Sequence, residues 1–287
     1  MQPEADAWTI APTLDAPFGH RARETWRYRR ILYFFAGRSL AVLYRNTKLG
    51  PLWLVIRQVM PVLVGSVVFG RFMGEQDSTS YTLFLMAGSA VWGLFSNPLA
   101  RGARGIEYNR TLLTKLYLPR LILVAAQMTA GLVEGLFLLL MLFATLGYYW
   151  WTTGVWSGSA PPPLGTAVPA AVVSVAVAMA MAFAMAVWAA PMVARARDMR
   201  YALNYVLSLW SFITPVAYPL SKIPPQLRWI AAVNPMSGPV ETFRWAVLGT
   251  GEPAWRQMGI SAVFVVVLLV TGLRYFARVE SATVDSL

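Results

Sequence analysis

Six stretches of mostly apolar residues constrain the fold of this chain more than any other feature. About 20 such residues cross the hydrocarbon core of a bilayer as an α-helix, and each stretch is that long or nearly so. The boundaries of the predicted spans are 52–73, 81–100, 120–148, 168–193, 199–219 and 257–277, each to within about four residues. The sequence therefore predicts an all-α integral membrane protein with six transmembrane helices.

The fifth stretch is the most polar of the six. Its hydroxyl and amide side chains and the prolines near its end are Asn204, Ser208, Ser211, Thr214, Pro215 and Pro219. Because lipid offers polar groups no hydrogen-bond partner, we expect this helix to be kinked or to line a polar cavity.

The composition also excludes an ordinary soluble domain. Hydrophobic residues make up 57% of the 287 residues and charged residues only 13%, against about 25% charged in soluble domains. The absence of cysteine removes disulfides, thiol nucleophiles and thiolate metal ligands. The only histidine, His20, lies in a polar leader at residues 1–23. We therefore expect no metal site and no catalytic residue in this chain.

The distribution of charge predicts the orientation in the membrane. Acidic residues and prolines replace the basic start and apolar core of a signal peptide in the first thirty residues, and the acids are Glu4, Asp6 and Asp15. Lys and Arg concentrate before the first span, in the second and fourth loops and in the tail, whereas the third loop has none. Since loops rich in Lys and Arg stay in the cytosol, both termini are predicted to be cytosolic.

A basic amphipathic helix is predicted ahead of the first span, at residues 24–49. At about 100° per residue, Arg27, Arg38 and Arg45 project from one side, while Leu32, Phe35, Leu40 and Leu43 point elsewhere. Such a helix lies in the membrane interface and contacts anionic lipid headgroups. The alternative is a solvated basic lead-in.

The fifth loop, residues 220–256, predicts two short helices separated by Asn234 and Pro235. The second begins near Ser237 and stops at Gly249, with Pro239 in its first turn. Its apolar face carries Val240, Phe243 and Val247, with Thr242 and Arg244 more nearly opposite. We expect both helices to be interfacial or re-entrant on the outer side.

Glu134 is the one acidic residue within a clearly apolar span. Burying an ionisable group at that depth is costly, so it is a functional candidate. It lies between Gly131 and Gly135 in a G-x-x-x-G pattern, which admits a close neighbouring helix. We favour an inter-helix partner, for example of Arg57, over the alternative of a proton path.

Aromatic residues inside the predicted spans are candidates for lining a path for sugars, because rings stack on the apolar faces of sugars. Ordinary core packing is the alternative for each. These residues are Phe84, Trp92, Phe95, Phe183, Trp188, Tyr205 and Trp210.

Several segments together resemble a known family. Residues 44–53, reading YRNTKLGPLW, precede the first span, and residues 109–120 read NRTLLTKLYLPR. Asn234-Pro235 is followed by ETFRWAVLG at residues 241–249. Over residues 24–278 the chain is similar to the transmembrane subunits of ABC exporters of lipid-linked polysaccharides, such as the O-antigen and teichoic-acid permeases.

The resemblance implies a homodimer of six-span subunits in the bacterial cytoplasmic (inner) membrane, joined to two copies of an ABC ATPase. No phosphate-binding G-x-x-x-x-G-K-[ST] motif is present, so ATP and Mg are expected on that partner and no cofactor in this chain. The implied substrate is an undecaprenyl diphosphate-linked glycan, with membrane lipids as further partners and no nucleic acid. The permease domain would occupy residues 50–280 and the cytosolic tail residues 281–287.

The resemblance also assigns roles to individual residues. Coupling to the ATPase is implied for Asn109, Leu112, Leu113, Lys115 and Leu116. Neutralising the lipid diphosphate at the cytosolic entrance is implied for Arg45, Lys48, Arg57 and Arg120. An outer gate is implied at Trp229, Asn234, Pro235, Glu241, Phe243 and Arg244.

Three alternatives remain open at this stage. One is an ABC permease for drug or lipid efflux, which shares the topology. A proton-coupled secondary transporter would need coupled intramembrane charges, of which only Glu134 is evident. A membrane transferase would need acids or histidines clustered at one membrane face, and the sequence lacks such a cluster.

Overall fold

The computed structural model describes residues 29–44, 48, 52–73, 78–113, 120–157, 162–196 and 198–284, and all regular structure in these ranges is helical. Two 3-10 turns, Leu220–Lys222 and Pro225–Leu227, precede α9. The helices are α1 (Arg29–Tyr44), α2 (Leu52–Met73), α3 (Ser78–Gly102), α4 (Gly105–Tyr108), α5 (Arg110–Leu113), α6 (Arg120–Thr153), α7 (Leu164–Arg195), α8 (Asp198–Ile213), α9 (Arg228–Val233), α10 (Ser237–Leu248) and α11 (Trp255–Val284).

Four of the described helices are long and apolar enough to cross a membrane. They lie at Tyr81–Gly102, Arg120–Thr153, Leu164–Arg195 and Trp255–Arg278. In α2 a shorter apolar segment runs over Leu52–Val68. The chain is therefore a multi-pass, all-helical membrane protein, and the count of six spans stays a prediction.

The predicted fifth span at 199–219 is only partly helical. Helix α8 ends at Ile213, and the chain then turns through Pro215 and Pro219. Proline has no N–H to donate and disfavours helical geometry at the preceding residue, which accounts for the early end.

Helix α3 is the centre of the bundle and packs against α6, α7 and α10. A Cβ added at Gly131 of α6 would overlap the backbone of Asn97 and Pro98, and one at Gly135 would lie 2.9 Å from the Cα of Leu94. The close approach predicted from the G-x-x-x-G pattern is therefore present. On α7 the small residues Ala178, Ala182 and Ala186 are fully buried.

Helix α1 packs along the first turns of α6. Phe35 is buried with Leu123 and Ala126, and Leu32 and Leu113 pack against this group. One face of the predicted amphipathic helix thus contacts protein. Whether the opposite face contacts lipid headgroups stays a prediction.

Helix α10 has the ends that the sequence predicts but not the predicted exposure. Gly249 follows it with φ of 68°, a left-handed conformation that glycine adopts without strain, and its N–H donates to the carbonyl of Trp245. All its residues except Trp245 are buried. Arg244, which the sequence places more nearly opposite the apolar face, is as buried as that face, because α3, α7 and α11 surround the helix.

Candidate functional site

A buried arginine lies at the end of the bundle where α10 is found, hereafter the α10 end. Arg244 is 0% exposed. Its Nη1 donates to Glu241 Oε1 at 3.0 Å, and its Nη2 donates to the carbonyls of Pro215 and Val216, both at 2.9 Å. The guanidinium carbon lies 3.6 Å from the centroid of the Phe84 ring. Arg244 therefore links α10 to the segment after α8 through hydrogen bonds and to α3 through its contact with the Phe84 ring.

Burial lowers the pKa of Arg244 to about 10, against the raising effect of Glu241. This value leaves the guanidinium protonated at neutral pH. Burial raises the pKa of Glu241, while the charge of Arg244 and the backbone N–H of Leu220 act to lower it. The ion pair therefore has a structural role, because removing either partner would leave the other charge buried and unpaired.

Asn234 connects α8 to the turn between α9 and α10. Its Oδ1 accepts hydrogen bonds from Trp210 Nε1 and the Met236 N–H, both at 3.0 Å, and its Nδ2 donates to Thr214 Oγ1 at 2.9 Å. Asn234 and Thr214 are buried. Two of these hydrogen bonds therefore hold the end of α8 to the α9–α10 turn, and the third, from the Met236 N–H, lies within the turn.

The predicted path-lining aromatics divide into separate groups. The rings of Trp92, Phe95 and Trp210 meet edge to face at centroid separations of 5.2 to 6.0 Å. Tyr205 is exposed on α8 and Phe183 lines a small cavity of about 230 Å³. Phe84 lies against Arg244, and Trp188 stacks on Tyr275 of α11. Within this chain the seven rings therefore form no continuous line.

An apolar cavity of about 460 Å³ opens between α8, α9 and α11. Trp229 and Ile230 of α9, Trp210 of α8 and Phe264 of α11 contribute to its walls. Trp229 is itself 65% exposed, whereas Phe243 of α10 is buried. The predicted outer gate residues thus divide between an exposed α9 and an anchored α10, with Pro235 at the join.

Glu134 lies toward the opposite end of the bundle, hereafter the α4 end. Its Oε1 accepts a hydrogen bond from Arg101 Nη2 at 2.5 Å and lies 3.7 Å from Arg57 Nη1. The Glu134 side chain is 5% exposed and that of Arg57 66%. The expected contact with Arg57 is present, but Arg101, which the sequence analysis missed, is the closer partner.

The predicted coupling residues have different environments. Asn109 is buried, and its Nδ2 donates to the carbonyl of Gly105 at 2.9 Å, which stabilises the turn between α4 and α5. Leu113 packs on the α1–α6 contact. Leu112 lies in α5, with its side chain outside the described part of the chain, as are Lys115 and Leu116 entirely.

Of the predicted diphosphate contacts, Arg45 also lies outside the described residues. Lys48 is exposed, and Arg120 is half-buried at the start of α6. In the part of the chain that the structure describes, neither Lys48 nor Arg120 forms a hydrogen bond or an ion pair with Arg57.

A second ion pair at the α4 end was not anticipated. Arg200 Nη1 of α8 lies 3.3 Å from Glu107 Oε1 of α4. The signal in the sequence is that Glu107 is the single acid among several basic residues in the loop after the second span. A lone acid in such a loop is a candidate for an internal ion pair.

Comparison with known proteins agrees with this architecture. Residues 32–248 match the family described as ABC-2 type transporter. The chain is 29% identical over 265 residues to the O-antigen export system permease protein RfbA of Myxococcus xanthus, covering 90% of this chain and 96% of that protein. It is 20% identical over 269 residues to the protein of the same name from Klebsiella pneumoniae, covering 87% and 92%.

Proposed function

Because this chain belongs to the ABC-2 type transporter family, we propose that it is the membrane permease of an ABC exporter of O-antigen or a similar lipid-linked cell-envelope polysaccharide. It is a transport component rather than an enzyme. The observation that carries the proposal is the 29% identity to an O-antigen export permease over nearly the full length of both chains.

The charges of the structure support an orientation with the α4 end in the cytosol. Arg101, Arg104, Arg110, Arg120 and Arg195 all lie toward that end. The third loop of the sequence, at the other end, has no Lys or Arg. By the positive-inside rule the α4 end faces the bacterial cytosol, and both termini lie on that side of the inner membrane.

In this arrangement residues 109–120 contact the ABC ATPase, which binds ATP and Mg. Asn109 closes the turn between α4 and α5, and Leu113 packs on the contact between α1 and α6, so residues 109–113 are held against the start of α6. Because residues 109–113 pack against the bundle, a movement of the ATPase would be transmitted to the membrane helices. We propose two copies of this chain and two of the ATPase, with six spans in each permease.

Substituting both Leu112 and Leu116 with aspartate is expected to abolish glycan export while leaving the protein in the membrane. The two side chains would contact the ATPase through apolar surface, and a carboxylate there is left desolvated without a partner. The measurement is surface glycan in a strain lacking the wild-type permease, with ATPase co-purification as the second readout. Normal export by this variant would contradict the coupling role.

The diphosphate of an undecaprenyl-linked glycan needs cations where it enters from the cytosol. Arg57 is available for this role, because its side chain is two-thirds exposed and its Nη1 lies 3.7 Å from Glu134 Oε1, beyond hydrogen-bond distance. Arg45, Lys48 and Arg120 would extend the same basic entrance. Of the ring cluster, Trp92 and Trp210 are partly exposed and would contact the glycan, whereas Phe95 is buried.

At the opposite end α9 is the better candidate for a moving gate than α10. Helix α9 is largely exposed beside the apolar cavity, whereas α10 is fastened by Arg244 and buried on nearly all sides. Trp156 Nε1 and Ser157 Oγ also donate to the carbonyls of Val247 and Leu248. We therefore propose that α9 moves while α10 stays in place, and that the two join at the turn of Asn234-Pro235, which is held to α8.

The proton-coupled alternative makes a different prediction for Glu134. Glu134→Gln keeps an acceptor oxygen for Arg101 but removes the titratable group. We expect export within about threefold of wild type and unchanged in its dependence on pH, since ATP supplies the driving force. Export should be compared at matched amounts of folded protein. Complete loss of export by a folded variant would favour a proton path.

An ABC permease for drug or lipid efflux is the remaining alternative. It shares the topology and the family, so the fold does not separate it from a glycan exporter. The full-length similarity to O-antigen permeases favours the glycan.

A further inference from the structure

Helix α8 packs more loosely than its neighbours. Leu207 is its only buried residue, whereas Tyr201, Tyr205, Leu209 and Phe212 are exposed. A helix with so little buried surface can shift against the bundle at low cost. Its position therefore depends on the contacts that hold its two ends.

At the α4 end α8 is held by the ion pair of Arg200 with Glu107. The side chains are only 27% and 24% exposed, and Arg200 Nη2 also donates to the Tyr201 hydroxyl at 2.9 Å. Charge-assisted hydrogen bonds of this kind are directional, unlike apolar contacts that slide. Movement of Glu107 along the helix axis would therefore draw Arg200 with it.

Glu107 belongs to a firmly seated element. It lies in α4, where a Cβ added at Gly105 would come within 2.8 Å of the Leu123 carbonyl and the Val124 Cα of α6. The Asn109 side chain closes the same turn onto Gly105. Helix α4 therefore moves together with residues 109–113 rather than independently of them.

At the α10 end α8 is held by Trp210, whose Nε1 donates to Asn234, and by Thr214. Ten residues separate Arg200 from Trp210, a distance of about 15 Å along a helix. A single stiff helix thus joins the predicted ATPase-contacting segment to the turn that carries α9.

We infer that the Glu107–Arg200 ion pair is the contact through which movement of α4 and α5 is passed to α8, and from α8 to the Asn234 turn. The inference rests on the proposed function and goes beyond it, since it assigns positioning roles to two residues outside the predicted coupling segment. Neither residue would contact the glycan or ATP.

Exchange of the two charges tests the inference. Glu107→Arg and Arg200→Glu, each alone, place like charges opposite each other, and we expect glycan exported per ATP hydrolysed to fall about tenfold. The double exchange restores an ion pair and should recover export per ATP to within about threefold of wild type. Arg195→Glu is the matched control, because Arg195 is the exposed last residue of α7, five residues before Arg200, and should tolerate the change.

A distance measurement serves if a single exchange fails to fold. The chain has no cysteine, so cysteines introduced at Tyr108 of α4 and Ala202 of α8, both exposed, can be spin-labelled in one subunit of a dimer whose other subunit carries none. With Glu107 and Arg200 intact, the label separation should stay constant between the nucleotide-free and ATP-bound transporter, because α8 follows α4. In the milder Glu107→Gln variant, the distribution of label separations should broaden, or its mean should change when nucleotide binds.

Two export results would overturn the inference. One is normal export per ATP in both single exchanges, and the other is a double exchange as impaired as the worse single one while folded. A label separation that changes by more than about 5 Å with the ion pair intact would also do so. If the unaltered transporter neither binds an ATPase nor exports glycan, the proposed function fails instead.

Discussion

Gly131→Val is expected to be among the most damaging substitutions in this chain, because it separates α3 from α6. The added Cβ would overlap the backbone of Asn97 and Pro98, which cannot move away as a flexible side chain would. Overpacking costs about 1 to 3 kcal/mol and occasionally more, and a clash with rigid backbone is expected at the upper end of that range. We expect a large fall in the melting temperature in detergent, measured as the loss of the monodisperse peak after heating.

Gly147→Val is the matched control on the same helix. A Cβ at Gly147 would have no atom within 4 Å, so the same side chain meets open space. Its melting temperature should stay close to that of the wild type. Equal melting temperatures for the two variants would mean that the close contact of α3 with α6 does not stabilise the bundle.

Arg244→Met is expected to destabilise the chain by about 3 to 5 kcal/mol, the range found when one partner of a buried ion pair is removed. The substitution leaves Glu241 buried without its cation and two carbonyls, those of Pro215 and Val216, without a donor. Methionine still fills part of the space over Phe84, so the loss reports chiefly the polar contacts. Denaturation in detergent, followed by tryptophan fluorescence, measures the change.

Two further variants separate the charge from the side-chain volume. Arg256→Met makes the same exchange at an exposed position and should change the free energy of unfolding by less than about 0.5 kcal/mol. Adding Glu241→Gln to Arg244→Met removes the unpaired carboxylate and should restore part of the loss. If Arg244→Met and Arg256→Met have the same free energy of unfolding, the contacts of Arg244 do not stabilise the packing of α10.

The ends of α10 could be predicted from the sequence, whereas its surroundings could not. Pro239 and Gly249 act through local backbone geometry, which depends on neighbouring residues alone. The prediction of an exposed polar face assumed that one side of the helix meets solvent or headgroups. Arg244 is buried because three other helices cover that side, and this depends on the global topology.

The candidate site shows the same division. An inter-helix partner for Glu134 was predictable from the cost of a buried carboxylate, and Arg57 does lie near it. The closer partner, Arg101, is 33 residues away along the chain. The position of Arg101 relative to Glu134 is set by the close contact between α3 and α6 at Gly131. The sequence does not reveal which turn of α3 meets Gly131. The Glu107–Arg200 pair spans 93 residues and was missed for the same reason.

The most direct test of the proposed function is to purify this chain together with its candidate ABC ATPase and to measure ATP hydrolysis with and without undecaprenyl-linked glycan. We predict a stable complex with two copies of each subunit, whose rate of ATP hydrolysis changes when the glycan is added. A folded chain that purifies without any ATPase, or a complex whose hydrolysis is indifferent to the glycan while it exports another substrate, would contradict the proposal.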